Sequence, residues 1–222
     1  MIRNIIDVPL PMMRVTQLLW DIDWGTQSTG QDTGGGDQIV FNRFPRFVGQ
    51  MALRFDRDGI GQWRALRARV QGRRHALRIR MVDPATMQAV GVPLDGGWQA
   101  WLSGVYEEPR PTIRCRTAVA AGATQIEVDE TAAAAPVAVG SHLSFKDWPF
   151  LVTGRSGSGA TTVLQVELLR TAIALDDQID LIPRGLFVPV DPALGGASYD
   201  YRLRSAPEWQ LSEWLTRPPE EP

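Results

Sequence analysis

The chain has 222 residues, of which 44% are hydrophobic and 22% charged, and its formal net charge is −2. These values are typical of a globular protein with one large or two small domains. One cysteine, Cys115, and two histidines, His75 and His142, exclude an intrachain disulfide framework and a cysteine-rich zinc site, and no cofactor is indicated.

The sequence holds no apolar run near the ~18 residues that a membrane-spanning helix needs. The N-terminal residues also lack the pattern of a secretory signal. We therefore expect no membrane insertion, and we expect the chain to fold in the cytoplasm.

The first predicted elements are strands. Residues 13–24 are typical of an opening strand, and the glycine-rich, polar residues 25–37 predict a mobile loop. Residues 47–55 alternate at period 2, which predicts a strand with one buried face. The apolar positions on that face are Phe47, Met51, Leu53 and Phe55.

A short amphipathic helix is predicted near residues 59–71. Asp58 is the expected N-cap, and Gly72 marks the end. The apolar residues at helical spacing are Ile60, Trp63, Leu66 and Val70. The run DRDG at 56–59 starts like a calcium-binding loop, but Arg67 stands where such a loop requires a bidentate Glu, so no calcium site is predicted.

Arginine is concentrated in one segment. Residues 43–80 contain eleven arginines and only two acids, so the segment carries +9 while the rest of the chain is acidic. Residues 74–82 predict a strand with His75 on its apolar face, as a core-edge histidine, and with Arg78 and Arg80 on the other face. Like charges on one strand face lower stability unless acids or a partner cover them. Such a segment favours either nucleic-acid contact or subunits that dock a basic face against an acidic one.

The second half of the chain has a different pattern of predicted elements. Residues 98–106 predict one more strand, and residues 109–111 (PRP) a stiff linker. Short strands then follow at close spacing, which favours a small β-barrel or sandwich. These strands are predicted at 112–118, 125–128, 142–145, 148–153, 161–168 and 178–182. Cys115 falls on an apolar strand face, which favours a buried small hydrophobe over a nucleophile.

Residues 152–163 (VTGRSGSGATTV) resemble the spacing of a phosphate-binding loop. That loop requires a Lys after its last glycine and a helix after that, whereas this chain has Ala160 followed by a β-branched run. We therefore interpret the segment as the tip of a β-hairpin.

The sequence thus predicts a mainly β protein in three parts. Residues 1–110 form a β-sandwich domain with one short helix, and residues 111–190 form the small barrel or sandwich. Residues 191–222 contain late strands, at 199–203 and 209–211, that return to the first domain's sheet, followed by an exposed tail.

Several short runs of the β module carry a resemblance to a known family. They are AGATQIEV (121–128), VGSHLSF (139–145), FLVTG (150–154), ELLR (167–170) and the IP pair at 182–183. Together with the strand–helix–strand order of the first half, this pattern resembles the distal tail proteins of long, non-contractile-tailed bacteriophages and gene transfer agents. Residues 25–37 are a departure from the family pattern.

The resemblance implies a structural virion protein without catalytic residues or cofactors. Its first half would form a closed ring, commonly of six copies, with the β module outside as an oligonucleotide/oligosaccharide-binding-type barrel or a galectin-like sandwich. The ring would lie at the tail tip and join the tail tube protein to the hub and host-recognition proteins. DNA would contact it only in transient passage, and a host surface glycan is a further possible partner.

A head-to-tail ring brings two different faces of the subunit together, which suits a chain with one basic segment and an acidic remainder. The hypothesis drawn from this charge pattern is that five arginines contact a neighbouring subunit or ring: Arg67, Arg69, Arg73, Arg78 and Arg80. Reversing Arg78 and Arg80 to Glu is then expected to leave a folded monomer that no longer assembles.

Other functions stay open at this point. The same sequence pattern is compatible with another tail component, such as a tube, terminator or hub protein. The arginine segment is also compatible with a nucleic-acid-binding module, and Trp148 with a sugar-stacking platform in a carbohydrate-binding module. Enzyme chemistry is disfavoured, because the carboxylate pairs at 107–108 and 176–177 are adjacent in loops rather than set across a cleft.

Overall fold

The computed structural model describes residues 3–31, 37–40, 44–86, 98–196, 198, 202 and 204–216, and for residues 27–31 and 37–40 it describes the backbone alone. The fold is mainly β, as predicted, and combines a six-stranded mixed sheet with a closed six-stranded barrel. A separate two-stranded hairpin lies in the segment that the sequence predicted as a loop, so that prediction is wrong in part.

The large sheet has the strand order β1-β6-β13-β14-β5-β2. Strands β1 and β6 are parallel, and every other neighbouring pair is antiparallel. Its members are β1 (Ile5–Asp7), β2 (Val15–Asp23), β5 (Arg46–Leu53), β6 (Ala76–Arg80), β13 (Arg184–Pro189) and β14 (Glu208–Glu213). The hairpin outside this sheet consists of β3 (Gln27–Gln31) and β4 (Asp37–Val40).

The barrel closes in the order β10-β11-β8-β7-β12-β9. Its strands are β7 (Thr112–Cys115), β8 (Gln125–Asp129), β9 (His142–Phe145), β10 (Trp148–Ser156), β11 (Thr162–Glu167) and β12 (Gln178–Asp180). Alternate residues point inward and are buried, which is the period-2 pattern seen in the sequence. Strands β10 and β11 pair across the glycine-rich segment, which confirms the hairpin interpretation of residues 152–163.

The barrel is inserted between two neighbouring strands of the sheet. Strand β6 precedes it and β13 follows it, and these two strands pair with each other. The sequence placed residues up to 190 in the β module, but β13 belongs to the large sheet and the barrel ends near Asp180. This boundary was missed because the partner of β13 lies about a hundred residues earlier in the chain. Strand β14 returns to the large sheet as predicted, whereas residues 199–201 and 203 of the other late strand lie outside the described residues.

Helix α1 (Arg57–Val70) covers the apolar face of the sheet with the predicted stripe of buried residues. Its N-cap is Asp56, whose carboxylate accepts a hydrogen bond from the Gly59 amide, and not Asp58, which lies in the first turn. Gln71 ends the helix in the left-handed conformation, with φ of 51°. Trp63 is fully buried at the centre of this packing, against Phe55 and Trp209.

The chain between the sheet and the barrel contains a second helix, α2 (Trp98–Leu102), where the sequence predicted a strand. The prediction is wrong because Trp98, Trp101 and Leu102 recur at i, i+3 and i+4, which is helical spacing. The two indole rings lie 5.2 Å apart on the helix. This segment and the residues after it form one wall of the cleft described next.

Candidate interaction site: an arginine-lined cleft

A cleft of about 460 Å³ lies between α1, the edge strand β1 with its neighbour β6, and the segment that leads to the barrel. We call it the arginine cleft, because five arginines line it: Arg69, Arg78, Arg80, Arg110 and Arg184. Three of them belong to the set predicted from the sequence. The ion pairs of each arginine decide whether it is available to a partner.

Arg78 is held between two carboxylates of its own chain. Its Nε lies 2.8 Å from Asp147 Oδ2, and its Nη1 lies 2.8 Å from Asp7 Oδ1. Burial of the guanidinium opposes its charged form, but Asp147 and Asp7 outweigh this effect and raise the pKa of Arg78. The sequence analysis required acids or a partner to offset the arginines on one face of this strand. Two carboxylates of the same chain, Asp7 and Asp147, meet that requirement for Arg78.

Asp147 connects the sheet to the barrel. It lies in the β9–β10 turn with φ of 60°, a conformation that Asp and Asn tolerate better than most residues. Its other oxygen lies 3.3 Å from the Nε of Arg184 in the large sheet, and Arg184 also pairs with Asp180 at 3.0 Å. The Arg184 amide donates to Ser144 Oγ at 2.8 Å. Arginines of the sheet and carboxylates of the barrel thus alternate across this junction.

Arg80 is buried, with only 3% of its surface exposed. Its guanidinium lies 2.6 Å from Glu108 Oε1 and also donates to the Ile182 carbonyl at 3.1 Å. Reversing Arg80 would bury a new carboxylate beside Glu108, and such a change destabilises the fold itself. The expectation that Arg78 and Arg80 can be reversed in a folded monomer is therefore corrected: both stabilise the chain internally.

The other three predicted arginines differ from one another. Arg67 is half-buried and donates to the Ala193 carbonyl at 2.6 Å, so it too serves the chain's own structure. Arg69, on the cleft wall, and Arg73, beyond the end of α1, are exposed and form no ion pair with any described residue. Of the predicted set, these two are placed to contact a partner.

Two cleft groups escaped the sequence analysis. Arg110 is exposed and, among the residues that the structure describes, has no ion-pair partner. The Tyr106 hydroxyl is buried, and no described residue forms a hydrogen bond with it. Burial, followed by the nearby Glu108 carboxylate, raises the pKa of Tyr106, so its hydroxyl is a neutral donor at pH 7. The sequence showed neither, because only the fold brings residues 106–110 against α1.

A second connection between barrel and sheet involves Glu213, whose side chain is 1% exposed. One carboxylate oxygen lies 3.1 Å from Arg170 and also accepts from the Phe47 amide at 3.0 Å. Arg170 additionally donates to the Pro45 carbonyl. These residues are far apart in sequence and carried no motif, so sequence reasoning missed them.

Trp148 lines a different cleft, of about 570 Å³, together with Phe44, Glu167 and Arg170. It is half-buried, and the Arg170 guanidinium lies 5.8 Å from its ring centroid. Phe44 opposite it is 67% exposed. A cleft lined by one exposed and one half-buried aromatic ring, with a carboxylate and a guanidinium beside them, is chemically suited to a sugar ring or another flat polar ligand.

The histidines occupy structural positions. His75 is buried, and its Nδ1 accepts a hydrogen bond from the Asn4 amide at 3.3 Å. His142 packs edge-on against Phe47, and burial lowers the pKa of its imidazole. Among the described residues, no group of three or more His, Cys, Asp or Glu side chains is placed to hold a metal ion.

Cys115 is fully buried inside the barrel, as predicted, and its Sγ donates to the Thr117 carbonyl at 3.1 Å. Burial raises the pKa of the thiol, so the reactive thiolate is scarce at neutral pH. We therefore expect the native protein to show no reaction with a thiol reagent over a period in which the urea-unfolded chain reacts completely. Reaction of the native protein at the unfolded rate would contradict this placement.

Neither protein-family models nor curated protein sequences gave a match to this chain. In the described part of the chain, no helix has the length and apolar character needed to span a membrane.

Proposed function

We propose that the protein is a structural subunit of a phage tail tip, which assembles into a ring, commonly of six copies, that joins the tail tube to the hub and host-recognition components. Assembly would use its exposed arginines against carboxylates of the neighbouring copy. The protein would perform no chemistry.

The observation that carries the proposal is the uneven distribution of charge that is left after internal pairing. Arg54, Arg57, Arg69 and Arg73 are exposed and, within the described residues, form no ion pair; we call them the basic surface. One exposed carboxylate without a described ion pair, Asp58, lies beside Arg57 within this surface. The others lie outside it, at Asp21, Glu107, Glu167, Asp176, Asp191 and Glu208. Because arginine forms bidentate pairs with carboxylates, unlike faces of two copies would attract each other.

The architecture supports the same proposal. The resemblance implies a ring-forming sheet domain that carries a small β module, and here a closed barrel is inserted into a large sheet. The two ion-paired connections, at Asp147 and Glu213, hold the barrel against the sheet. A subunit braced in this way holds the basic surface and the exposed carboxylates of the barrel in a fixed relation, as closure of a ring requires.

The test compares the wild-type protein with an Arg69→Glu/Arg73→Glu variant by sedimentation and negative-stain imaging. We expect rings from the wild type and monomers from the variant, with unchanged unfolding because both side chains are exposed and form no ion pair with a described residue. An Arg69→Lys/Arg73→Lys variant, which keeps both positive charges at the same positions, is the matched control and should still form rings. Assembly of the Arg69→Glu/Arg73→Glu variant at wild-type concentrations would contradict the role of these arginines.

The position of the protein in a particle needs its own measurement. An affinity tag on the chain, labelled with gold in particles that carry it, should mark the lower end of the tail. Labelling along the tube or at its upper end would instead indicate a tube or terminator protein. A wild-type chain that stays monomeric at high concentration and is missing from particles would overturn the proposal.

The cleft at Trp148 and Phe44 favours carbohydrate binding as a second candidate function. A glycan array probed with the whole protein tests it, with Phe44→Ala as the control variant because that side chain is mostly exposed. Binding that disappears in the variant would support recognition of a host surface glycan. Salt-dependent binding of DNA by the basic surface would favour the nucleic-acid alternative instead.

A further inference from the structure

The arginine cleft has the features of a socket for an acidic, partly apolar segment. Arg69 and Arg110 offer guanidinium groups without described partners, and the Tyr106 hydroxyl has no acceptor among the described residues. Between them, Met12, Leu66 and Trp101 supply an apolar wall. A carboxylate that lies next to an aliphatic side chain would satisfy both parts of this cleft.

Five places on the described surface combine an exposed aliphatic side chain with an exposed carboxylate one or two residues further along the chain. They are Ile5 with Asp7, Leu19 with Asp21, Val105 with Glu107, Leu175 with Asp176, and Val190 with Asp191. Asp7 pairs with Arg78, and Glu107 lies between the cleft residues Tyr106 and Glu108, on the cleft side of the proposed contact. The Asp21 carboxylate accepts from the Ile22 amide and the Asp191 carboxylate from the Ala193 amide. Asp176 has no described hydrogen bond to its carboxylate, and beside it Leu175 is 58% exposed. Of the pairs that lie away from the cleft, the 175–176 pair is the one whose carboxylate is not engaged by a described residue.

The Leu175–Asp176 pair sits at the tip of a rigid turn that leads into β12. The Asp176 amide donates to the Cys115 carbonyl at 2.9 Å, and the Ala174 amide donates to the Asp177 carboxylate at 2.8 Å. Asp176 adopts the left-handed conformation, with φ of 65°. A turn fixed in this way loses little conformational entropy on binding, which favours affinity.

From these features we propose that the arginine cleft receives the Leu175–Asp176 turn of a neighbouring copy of this chain. Asp176 pairs with Arg69 and Arg110, and Leu175 packs on the apolar wall. The turn belongs to the barrel and the cleft to the sheet domain, so the contact joins two different surfaces and is head-to-tail. This inference rests on the proposed function and names the contact through which the copies join.

The experiment uses two full-length variants, each of which loses one side of the contact. The socket variant is Arg69→Glu/Arg110→Glu. The turn variant is Leu175→Ser/Asp176→Asn, which keeps a residue that tolerates the left-handed conformation at position 176. Each variant alone should need about 30-fold or more protein for half-assembly, as expected when a contact worth about 2 kcal/mol is lost.

Mixing the two variants gives the decisive result. The turn of the socket variant is intact, and so is the cleft of the turn variant, so one productive contact remains. We expect a one-to-one heterodimer that does not grow further, because its two outer surfaces are both disabled. A mixture that stays monomeric overturns the inference.

A matched control separates this contact from a general loss of apolar or acidic surface. Leu19→Ser/Asp21→Asn changes an equivalent pair on β2 and should assemble like the wild type. Unfolding curves of all variants should coincide with that of the wild type, since every changed side chain is exposed. Normal assembly of the turn variant overturns the inference while leaving the ring proposal intact, whereas a monomeric wild type overturns both.

Discussion

Replacing Asp147 with Asn should lower the free energy of unfolding by about 3 kcal/mol, the size expected when one partner of a buried ion pair is removed. The Asp147 side chain is 7% exposed and faces both Arg78 and Arg184. Asn has nearly the same shape and tolerates the φ of 60°, so the change removes charge and little else. Urea denaturation followed by fluorescence measures the loss.

Asp7→Asn is the matched control for this prediction. Asp7 pairs with the same arginine, Arg78, at the same 2.8 Å distance, but its side chain is 70% exposed. Water screens the exposed pair, so the control should cost less than about 1 kcal/mol. Equal effects of the two substitutions would show that burial of Asp147 contributes nothing, and that the network does not fasten the barrel to the sheet.

The second large effect is expected from Trp63→Ala, which should cost about 4 kcal/mol. The indole is fully buried, with ring centroids 5.5 Å from Phe55 and 4.9 Å from Trp209, and its Nε1 donates to the Gly195 carbonyl at 3.2 Å. Alanine would leave a cavity under α1 and an unsatisfied carbonyl. The measurement is the thermal unfolding midpoint, which should fall by roughly 8–16 °C for a chain of this length.

Trp24→Ala serves as the comparison, because Trp24 is 49% exposed. Its removal should change stability by no more than about 0.5 kcal/mol. A Trp63→Ala variant that unfolds at the wild-type temperature would mean that α1 does not pack on the sheet through this side chain.

The barrel was predictable because each of its strands shows alternating apolar and polar residues within a few consecutive positions. The inward residues of β8 and β11 are apolar except Thr162, and the outward ones are polar except Val163, so the alternation identifies both strands. The buried apolar residues of α1 are likewise recognisable within one short segment, because they recur at helical spacing. Its N-cap was misassigned because Asp56 and Asp58 both precede the apolar run, and only backbone geometry shows that Asp56 accepts from Gly59.

The candidate site was predictable in composition but not in arrangement. The excess of arginine in residues 43–80 pointed to the right region, yet it could not distinguish Arg69, which is exposed, from Arg80, which is buried against Glu108. Asp147, Arg110 and Tyr106 come from segments 25–70 residues away in the chain, and pairing across such separations leaves no periodic signal. Sequence reasoning therefore found the charges and missed their counterions.

The insertion of the barrel has a consequence for how such a protein can be altered. Arg80 and Arg184 lie side by side where the chain leaves the sheet and where it comes back, and Thr112 and Asp180 are likewise neighbours at the base of the barrel. The two chain segments that connect the sheet to the barrel are therefore neighbours at both of their ends. A tight turn, or an unrelated module with neighbouring termini, would join the same two strand ends without changing the register of the sheet, but it would have to replace Asp147 and Arg170 as partners of Arg78, Arg184 and Glu213.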